Sequence, residues 1–480
     1  MDSILFSKEA PVRYHAEVAV IGGGVAGCAA AISAARHGAD TLLIEQSGML
    51  GGMATLGHVS PLDARTTQLG EHFGGLIDEI VSRVEDMNRQ YGGANHALRN
   101  GPEFLRLVLL QMVRESGARI LFHASLAGVE RRENRIVHAF LHTKSGMEAL
   151  EAQCWIDASG DGDLMAEAGE EYVLGSEKGV FEELIVSGMN RVHFEEGKAT
   201  ETYQGYAASG LMQPVSMMFT MENVDFSKCD HLSNRLLTFE DLHIDREEFF
   251  RLPYAGTVGF EENGDYVPLP QGRILINRSA REDQVLVNMS RVIGVDATDA
   301  VALSHAEEAA QLQILYLSDF LIRYIPGFEK AYLMASSHTL GVRETRRLVG
   351  RYVLRGREAI ECVPFPDTVA QGSYMIDIHD PQGKRKAIGG ELKKPCYSIP
   401  YRCLLPKTVE NLLVCGRCIS VDHIAHASTR IQGTCILTGQ AAGTAAAMAK
   451  TQGWEPARLA AEELRQNLQN DGVHYYHEAG

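Results

Sequence analysis

The sequence predicts an α/β protein in which a parallel sheet with a β-meander is interrupted by an inserted α+β domain. Three observations lead to this fold class. A short apolar strand, Glu17–Ile21, runs into a glycine-rich turn and an alanine-rich helix, Cys28–His37. A second apolar strand, Thr41–Glu45, follows within a few residues. Near the C-terminus, an apolar strand at Asn411–Gly416 and an alanine-rich helix at Thr434–Thr451 repeat this pattern, so the chain returns to its first domain.

The first two strands and the helix between them form a unit that begins a parallel sheet. Alanine favours the helix, and Gly38 ends it. Both strands are continuously apolar, as expected of strands that are covered on both faces. A strand, turn, helix and strand in this order predict that the two strands lie side by side and run in the same direction.

Two helices and a meander are predicted next. Apolar residues at helical spacing indicate helices at Phe73–Tyr91 and Pro102–Ser116. Apolar runs between Ala118 and Ile156 are separated by polar turns, which predicts one strand that returns to the first sheet and a small antiparallel meander. A long amphipathic helix is predicted near Ser304–Ile325.

The length of 480 residues exceeds that over which a single core keeps growing, so two structural domains are expected. We predict that residues 1–175 form the first part of a cofactor-binding domain. Residues 176–405 form an inserted domain that covers the substrate, and residues 406–480 complete the first domain.

Bulk properties restrict the partners and the compartment. A formal charge of −17 argues against nucleic acid as the main partner. The sequence has no run of eighteen apolar residues and begins without the basic-then-apolar pattern of a secretory signal, so a membrane span is not expected. Nine scattered cysteines, an odd number, indicate reduced thiols. These properties predict a cytoplasmic enzyme.

The glycine-rich turn matches a dinucleotide-binding fingerprint. Gly22, Gly24 and Gly27 lie between a predicted strand and helix, and Glu45 ends the next strand. The first glycine permits the tight turn, the second lets the backbone approach a pyrophosphate, and the third allows the helix to pack closely. The carboxylate of Glu45 is placed to accept hydrogen bonds from ribose hydroxyls. This motif alone leaves NAD and FAD open.

Three further segments favour FAD over NAD. Adjacent glycines follow the acidic residue in Leu50–Thr55, a strand runs into a glycine turn in Trp155–Asp163, and Leu413–Arg417 precedes another turn and helix. Flavoproteins lay such backbone along the cofactor. The predicted cofactor-binding residues are Gly22, Gly24, Ala26, Gly27, Glu45, Gln46, Gly51, Gly52, Met53, Ala127, Ser159, Gly160, Asp161, Gly416, Arg417, Gly433 and Thr434.

With these segments in place, the chain resembles the FAD-dependent oxidoreductases of the glutathione-reductase-like superfamily. More narrowly, it resembles a bacterial family related to the fumarate reductase and succinate dehydrogenase flavoproteins. The resemblance implies a discontinuous, Rossmann-like FAD-binding domain and a middle region that covers the isoalloxazine ring. Besides the fingerprint and Gly51-Gly52, it rests on Asp157–Asp163, Gly341–Arg347, Gly372–His379, Ile399–Arg402 and Gly416–Gly443.

Two departures from the family pattern bear on the cofactor. Many relatives end the last strand with Gly-Asp, whose carboxylate binds the ribityl chain or phosphate, whereas Gly416 is followed by Arg417. We expect that contact to fall to Asp422 or to backbone. The stretch Gln46–Leu50 lacks the histidine that fumarate reductase relatives use for covalent attachment. Noncovalent FAD is therefore expected, with His58 as the alternative attachment site.

Arg430 is the first catalytic candidate. It lies just ahead of the last alanine-rich helix, and in the fumarate reductase relatives an arginine at this position works in the active site. The resemblance thus implies a substrate clamp or a role in proton handling, with a surface ion pair as the alternative. The N-terminus of the same helix would stabilise an anionic reduced flavin.

Arg343 is the second candidate. Arg343, Arg346 and Arg347 are spaced three and four residues apart, so on a helix they would form one cationic ridge. Such a ridge would bind a substrate carboxylate or pair with Glu344 and other acids on a solvated face. Arg343 is favoured for substrate because it directly follows a loop-like segment.

His379 is the preferred proton carrier. It follows an apolar strand and leads into the Asp380-Pro381 turn, a strand-end position that can face a cleft. For that reason it is favoured over His423 and His426. Metal-binding motifs are absent from the sequence, so no metal is expected.

These features predict an FAD-dependent oxidoreductase that transfers a hydride between the flavin N5 and a small polar molecule such as a hydroxy acid, sugar or polyol. One alternative is a flavin monooxygenase that uses NAD(P)H, and another is a non-catalytic binding or chaperone protein with the same fold. A tRNA-modifying flavoprotein is disfavoured by the acidic charge. The electron acceptor and a homo-oligomer are left open.

Overall fold

The computed structural model describes residues 4–5, 7–59, 61–91, 102–176, 185–187, 191–193, 210–233, 235–251, 266–279, 281–381 and 388–476. Several stretches of the predicted inserted domain, including 194–209 and 252–265, lie outside the described residues.

The helices of the described residues include a long one in the middle of the chain and another near its end. They are α1 (Val25–Arg36), α2 (Gly75–Tyr91), α3 (Pro102–Glu115), α4 (Asp163–Glu167), α5 (Phe226–Cys229), α6 (Arg246–Phe249), α7 (Ala300–Tyr324), α8 (Gly356–Glu361), α9 (His423–Thr429), α10 (Gln432–Gln452) and α11 (Ala461–Asn470). Short 3-10 turns occur at Gly52–Ala54, Asp230–Leu232, Tyr401–Leu404, Gly416–Cys418 and Pro456–Arg458.

The strands are distributed over one large sheet and several small ones. They are β1 (Val12–Ile21), β2 (Thr41–Glu45), β3 (Arg119–Phe122), β4 (Ser125–Arg132), β5 (Arg135–Thr143), β6 (Gly146–Asp157), β7 (Tyr172–Leu174), β8 (Ile185–Ser187), β9 (Arg191–His193), β10 (Phe219–Glu222), β11 (Ile276–Arg278), β12 (Val285–Val287), β13 (Tyr332–Ser336), β14 (Arg346–Leu348), β15 (Thr368–Gly372), β16 (Ile376–Ile378), β17 (Ile388–Gly390), β18 (Tyr397–Pro400) and β19 (Leu412–Val414).

The large sheet has seven strands in the order β3-β2-β1-β6-β5-β4, with β19 also paired to β6. The pairs β1·β2, β2·β3, β1·β6 and β6·β19 are parallel, and β4, β5 and β6 form the antiparallel meander. The early residues of β6 bond to β5, while Trp155–Asp157 bond to β19. One long strand therefore carries two neighbours on the same edge. The predicted α/β fold class, the first unit and the returning C-terminal strand are confirmed.

Helices α1 and α10 pack closely because small residues line their contact. A Cβ added at Gly439 would lie 2.2 Å from the Ala26 carbonyl oxygen, and one at Gly443 would lie 2.2 Å from that of Ala30. Residue numbers increase in the same direction along both helices at this contact, from Ala26 and Gly439 to Ala30 and Gly443. The helices therefore run parallel, and both N-termini face the same edge of the sheet. Since α10 starts seven residues before Gly439 and α1 one before Ala26, α10 extends about 9 Å further.

A second sheet, β11-β12-β10-β13, packs with α7 around its own apolar core, which includes Phe219, Val287 and Phe320. Helix α7 begins four residues earlier than predicted, because the Asp299 carboxylate accepts a hydrogen bond from the Ala302 N–H and caps it. Smaller sheets are β14-β7, β15-β18 and β16-β17-β9-β8.

The predicted helical ridge of arginines is wrong. Arg346–Leu348 form strand β14, which pairs antiparallel with β7. Adjacent side chains of a strand point to opposite faces. Accordingly, Arg346 reaches Asp163 at 2.9 Å near the surface, whereas Arg347 is fully buried. The strand is selected by a partner far away in the sequence, which local spacing could not indicate.

Candidate functional site

The carboxyl ends of β1, β6 and β19 meet at one edge of the large sheet, and each continues into a glycine turn. Gly22 has φ +103°, and a Cβ there would lie 2.4 Å from the Ala158 carbonyl oxygen in the turn after β6. A Cβ at Gly27 would lie 1.8 Å from the Gly22 carbonyl oxygen. These two glycines let α1 start directly against the sheet, so its unpaired N–H groups face the edge.

Glu45 joins two glycine loops at this edge. Its carboxylate accepts hydrogen bonds from the Gly23 N–H at 2.7 Å and the Ser47 N–H at 2.7 Å. The Gly51 N–H in turn donates to the Gly23 carbonyl at 2.8 Å. Each carboxylate oxygen can accept more than one hydrogen bond, so a ribose hydroxyl can still be accommodated.

The Gly24 position leaves room beside the N-terminus of α1. A Cβ at Gly52 would lie 3.0 Å from the Gly24 Cα, so the second loop packs directly on the first. By contrast, a Cβ at Gly24 would meet no atom within 4 Å. Open space at this glycine suits a ligand that approaches the backbone closely.

Arg417 and Asp161 form an ion pair between the turns after β19 and β6. The Arg417 Nη2 lies 2.5 Å from the Asp161 Oδ1, which also accepts a hydrogen bond from the Thr345 hydroxyl at 2.8 Å. A Cβ at Gly160 would lie 3.0 Å from the same Nη2. Ser159 is held separately, because its N–H and hydroxyl both donate to buried Asp157. The structure therefore brings together the predicted residues of these two turns.

Asp422 has a different role from the one considered for it. One of its oxygens accepts a hydrogen bond from the Ala425 N–H at 2.8 Å and caps α9. The other accepts from the Gly356 N–H at 2.8 Å and ties α8 to α9. With both oxygens used in this way and only 3 % of the residue exposed, Asp422 is a structural residue.

The other predicted cofactor residues differ in their burial and in the elements that carry them. Ala26 is buried between Gly416 and Gly439, and Met53 is half-buried with its carbonyl bonded to the Val59 N–H at 3.0 Å. Gly433 and Thr434 form the first turn of α10, where the Gly433 N–H donates to the Asp63 carbonyl at 3.1 Å. Gln46 and Ala127 are exposed, the latter on the outer strand β4.

The structure brings two of the catalytic candidates to Asp377 in β16. Arg430, between α9 and α10, donates from Nη2 to the Asp377 carbonyl at 3.0 Å and lies 3.4 Å from its Oδ2. The His379 Nε2 lies 3.4 Å from the same Oδ2. Asp377 was not predicted from the sequence, although it stands in the Gly372–His379 segment that supports the resemblance.

Arg343 lies close enough to Asp377 and Arg430 for their charges to act on it. Its Nη1 donates to the Pro214 carbonyl and the Ser216 hydroxyl, each at 2.7 Å. Arg343 is half-buried. Within the described ranges, no carboxylate forms an ion pair with Arg343.

Burial and the neighbouring charges determine the ionisation of this cluster. Burial opposes ionisation of Asp377, but His379 and the Arg430 guanidinium outweigh it and hold the Asp377 pKa well below its usual range. Burial and the Arg343 charge lower the pKa of His379 to about 4. Burial and the Arg430 charge also lower the pKa of Arg343. At neutral pH the cluster contains a carboxylate, a neutral imidazole and two guanidinium cations.

A buried network lies beside this cluster, and it contains the pairing of an arginine with Glu344 that the sequence offered as an alternative, although not on a solvated face. The Glu344 carboxylate pairs with Arg347 and with the His423 Nδ1, the latter at 2.8 Å. Their charges outweigh burial and hold the pKa of Glu344 well below its usual range. Next to it, His426 is fully buried, and burial holds its pKa well below the usual value. The spacing of Glu344 and Arg347 is visible in the sequence, but their histidine partner lies 79 residues further on.

The described residues fit a long dinucleotide cofactor. Within the part of the chain that the structure describes, buried polar atoms without a hydrogen-bond partner occur in several places, and seven of them lie between the turn after β19 and the first turn of α10. The N-terminus of α10 lies in this stretch, and Gly416, just before it, packs against Ala26 in the first turn of α1. These seven atoms are the Arg417 Nη1, both His426 ring nitrogens, the Thr429 Oγ1, the Arg430 Nε, the Gln432 Oε1 and the Thr434 Oγ1. His58, the alternative attachment site, is buried with its Nδ1 unpartnered, and covalent attachment there stays untested.

Two absences apply to the described residues only. None of their helices combines the length and apolar character needed to cross a membrane. No group of three or more His, Cys, Asp and Glu side chains among them is arranged to hold a metal ion.

The solved structures to which the chain is similar are distant in sequence. The chain is similar to a geranylgeranyl bacteriochlorophyll reductase-like protein of Thermoplasma acidophilum at 13% identity, with 96% of this chain and 92% of that chain covered and a TM-score of 0.38. It is similar to p-nitrophenol 4-monooxygenase PnpA of Pseudomonas putida DLL-E4 at 10% identity, 95% and 84% coverage and a TM-score of 0.42. The flavin-dependent brominase Bmp2 gives 11% identity, 95% and 83% coverage and a TM-score of 0.42.

The match to a family model assigns the chain to a family, which the individual structures do not. No curated protein matches the chain significantly. The model of a family described as "FAD dependent oxidoreductase" matches residues 17–468, which include every strand end and turn described above. The protein is therefore an enzyme with FAD as its cofactor, and it belongs to the FAD dependent oxidoreductase family.

Proposed function

We propose that this enzyme transfers a hydride between FAD and a C–H centre of a small polar substrate, and that a hydroxy acid fits the site better than a sugar or polyol. The observation that carries the proposal is the cluster of Arg343, His379 and Arg430 around Asp377, next to the N-terminus of α10. Bound FAD supplies the two-electron chemistry at its N5. We also propose, from the sequence resemblance, a relationship to the fumarate reductase flavoproteins.

His379 is proposed to take the proton of the substrate hydroxyl. His379 is unprotonated at neutral pH because burial and the Arg343 charge lower its pKa, and the Asp377 carboxylate favours proton uptake by opposing that shift. Its Nε2 faces the Asp377 carboxylate, which leaves the Nδ1 as the nitrogen without a partner among the described residues. Asp377 then orients the imidazole and would stabilise its charge after proton uptake.

Arg343 is proposed to bind the substrate carboxylate. A guanidinium held away from water gains most from an anion that completes its hydrogen bonds. Pro214 and Ser216 already fix its Nη1, so the remaining N–H groups have a defined direction. Arg430 differs because it is tied to Asp377 at Nη2, which suits it to orient the reacting end of the substrate.

The test is anaerobic bleaching of the flavin absorption by a panel of hydroxy acids, sugars and polyols. We expect hydroxy acids to bleach the parent enzyme, and Arg343→Gln to weaken their apparent affinity by about 100-fold. Arg351→Gln is the control, because Arg351 is an exposed arginine that also donates to a carbonyl, that of Pro406 at 3.2 Å. It should bleach as the parent does.

Other results would identify the alternatives. Bleaching by NAD(P)H but by no member of the panel would contradict hydride transfer from these substrates and favour a monooxygenase. Equal bleaching by sugars and hydroxy acids, unaffected by Arg343→Gln, would contradict the proposal that Arg343 binds a substrate carboxylate. A protein that binds FAD but is reduced by none of these compounds would favour the non-catalytic alternative.

A further inference from the structure

We propose that Arg417 binds the diphosphate of FAD and that Asp161 holds its guanidinium in place. The usual acidic contact after the last strand would thereby be replaced by a cationic one directed at the charged part of the cofactor. The inference concerns cofactor binding, so it does not depend on the substrate proposed above.

The position of Arg417 follows from the order of strands. It comes after β19, which pairs with β6, and β6 pairs with β1. Gly416 has φ +77°, and a Cβ there would lie 2.8 Å from the Ala26 Cβ in the first turn of α1. The Arg417 backbone thus starts beside a helix N-terminus, the place where Rossmann-like folds bind a pyrophosphate.

One nitrogen of the Arg417 guanidinium is held by a carboxylate, and another has no hydrogen-bond acceptor among the described residues. Its Nη2 bonds to Asp161, which the Thr345 hydroxyl also holds. Its Nη1 is buried and has no hydrogen-bond partner within the described ranges. A buried cationic N–H without an acceptor is unfavourable, so the structure implies that an acceptor arrives with the cofactor.

Gly160 keeps space for this arrangement. It has φ +80°, and a Cβ there would lie 3.0 Å from the Arg417 Nη2. Glycine is therefore favoured at position 160 for two reasons: the backbone is left-handed there, and a side chain would displace the Arg417 guanidinium.

Charge identifies the diphosphate as the group bound. The ribityl chain is neutral, whereas the diphosphate is anionic and matches the planar fork of a guanidinium. Asp422, the nearby carboxylate considered as a replacement, is occupied as the α9 cap and the α8 tie. Asp161 faces Arg417, so its negative charge is compensated where it would otherwise repel phosphate.

The experiment measures ligand affinity of the apoprotein, with FAD and ADP as separate probes. FAD binding is followed by flavin fluorescence, and ADP, which has the diphosphate but no flavin or ribityl chain, by its competition with FAD. We expect Arg417→Gln to weaken both FAD and ADP by about 10- to 100-fold. Asp161→Asn should weaken both by a smaller factor, because it loosens the guanidinium without removing it.

Arg402→Gln is the matched control, because Arg402 also forms an ion pair, at 2.8 Å to Asp367, away from the glycine turns. It should leave both affinities unchanged. Thermal unfolding of each apoprotein checks the fold, and Arg417→Lys, which keeps the charge but not the fork, carries the test if Arg417→Gln does not fold. A loss for FAD with none for ADP, or no loss for either, would overturn the proposal.

Discussion

Asp377 connects two catalytic candidates that come from separate parts of the sequence. His379 follows two residues later, just after the end of β16, whereas Arg430 comes from the junction of α9 and α10. At this scale the sequence predicted Arg343, His379 and Arg430 as candidates but did not predict the carboxylate between them. An aspartate in a strand has no pattern that distinguishes it, because its role depends on which side chains the fold brings to it.

Asp377→Asn should slow flavin reduction by about 100-fold, because the amide cannot orient and stabilise a protonated His379 as the carboxylate does. Anaerobic stopped-flow absorbance with a substrate found in the panel measures the rate. FAD affinity should stay unchanged, and Asp377→Glu should recover part of the rate.

The matched control is Asp367→Asn, which removes a carboxylate paired with Arg402 outside the cluster and should reduce at the parental rate. Equal slowing in both variants would show a general loss of structure and contradict a positioning role for Asp377.

At the scale of elements, the pairing of α1 and α10 positions the two helix N-termini at which the cofactor is predicted to bind. Gly439 and Gly443 give the separation of the two helices, and a hydrogen bond of 2.7 Å between the hydroxyls of Ser33 and Thr444 lies in the same contact. Because the two helices run parallel with an offset, their N-termini face the same edge at different heights. The small residues of α10 are visible in the sequence, but their partners on α1 are not.

Gly439→Ala should destabilise the protein by about 2 kcal/mol, because the added methyl meets backbone at 2.2 Å and overpacking outweighs the gain of about 1 kcal/mol in helix propensity. FAD affinity should fall as well, since the helices must separate. Urea unfolding and apoprotein titration measure the two effects.

Gly389→Ala is the control for added volume, because its Cβ would meet the nearest atom at 3.7 Å, an ordinary contact. A Gly439→Ala variant as stable as the parent would show that the helix contact is looser than the structure indicates.

At the scale of the whole molecule, buried neutral histidines couple stability to pH. The pKa of His379 is about 4 in the folded protein against 6.5 for the unperturbed group, so the unfolded chain takes up protons first as the pH falls. The contribution of His379 to the free energy of unfolding is therefore fully present above about pH 6.5 and is lost progressively as the pH falls toward 4. His426, whose pKa burial also lowers, contributes in the same direction.

The loss attributable to His379 should reach about 3 kcal/mol at pH 4. Urea unfolding at pH 7 and near pH 4 measures it, and His379→Gln should lose less stability over this range than the parent. His15→Gln, at an exposed histidine paired with Glu151, should behave as the parent. Identical acid sensitivity in His379→Gln and the parent would contradict the assignment.

Cofactor attachment is a second property of the whole molecule. We expect acid precipitation to release the flavin into the supernatant, because the predicted site offers hydrogen bonds and charge but no covalent linkage before Leu50. Absorbance of the supernatant and pellet measures the distribution. Flavin retained in the pellet by the parent, and released by His58→Ala, would instead establish attachment at His58.

The sequence by itself determined the α/β class, the first strand–helix–strand unit, the glycine turns and the return of the chain at β19. These features depend on local periodicity and on glycines that are recognised because they lie between a predicted strand and a predicted helix. Tertiary structure alone decided that Arg346–Leu348 form a strand, that Asp422 ties α8 to α9, and that Asp161 meets Arg417 and Asp377 meets Arg430. Each of these depends on a contact between segments at least 50 residues apart, and such contacts form only when the strands and helices have packed.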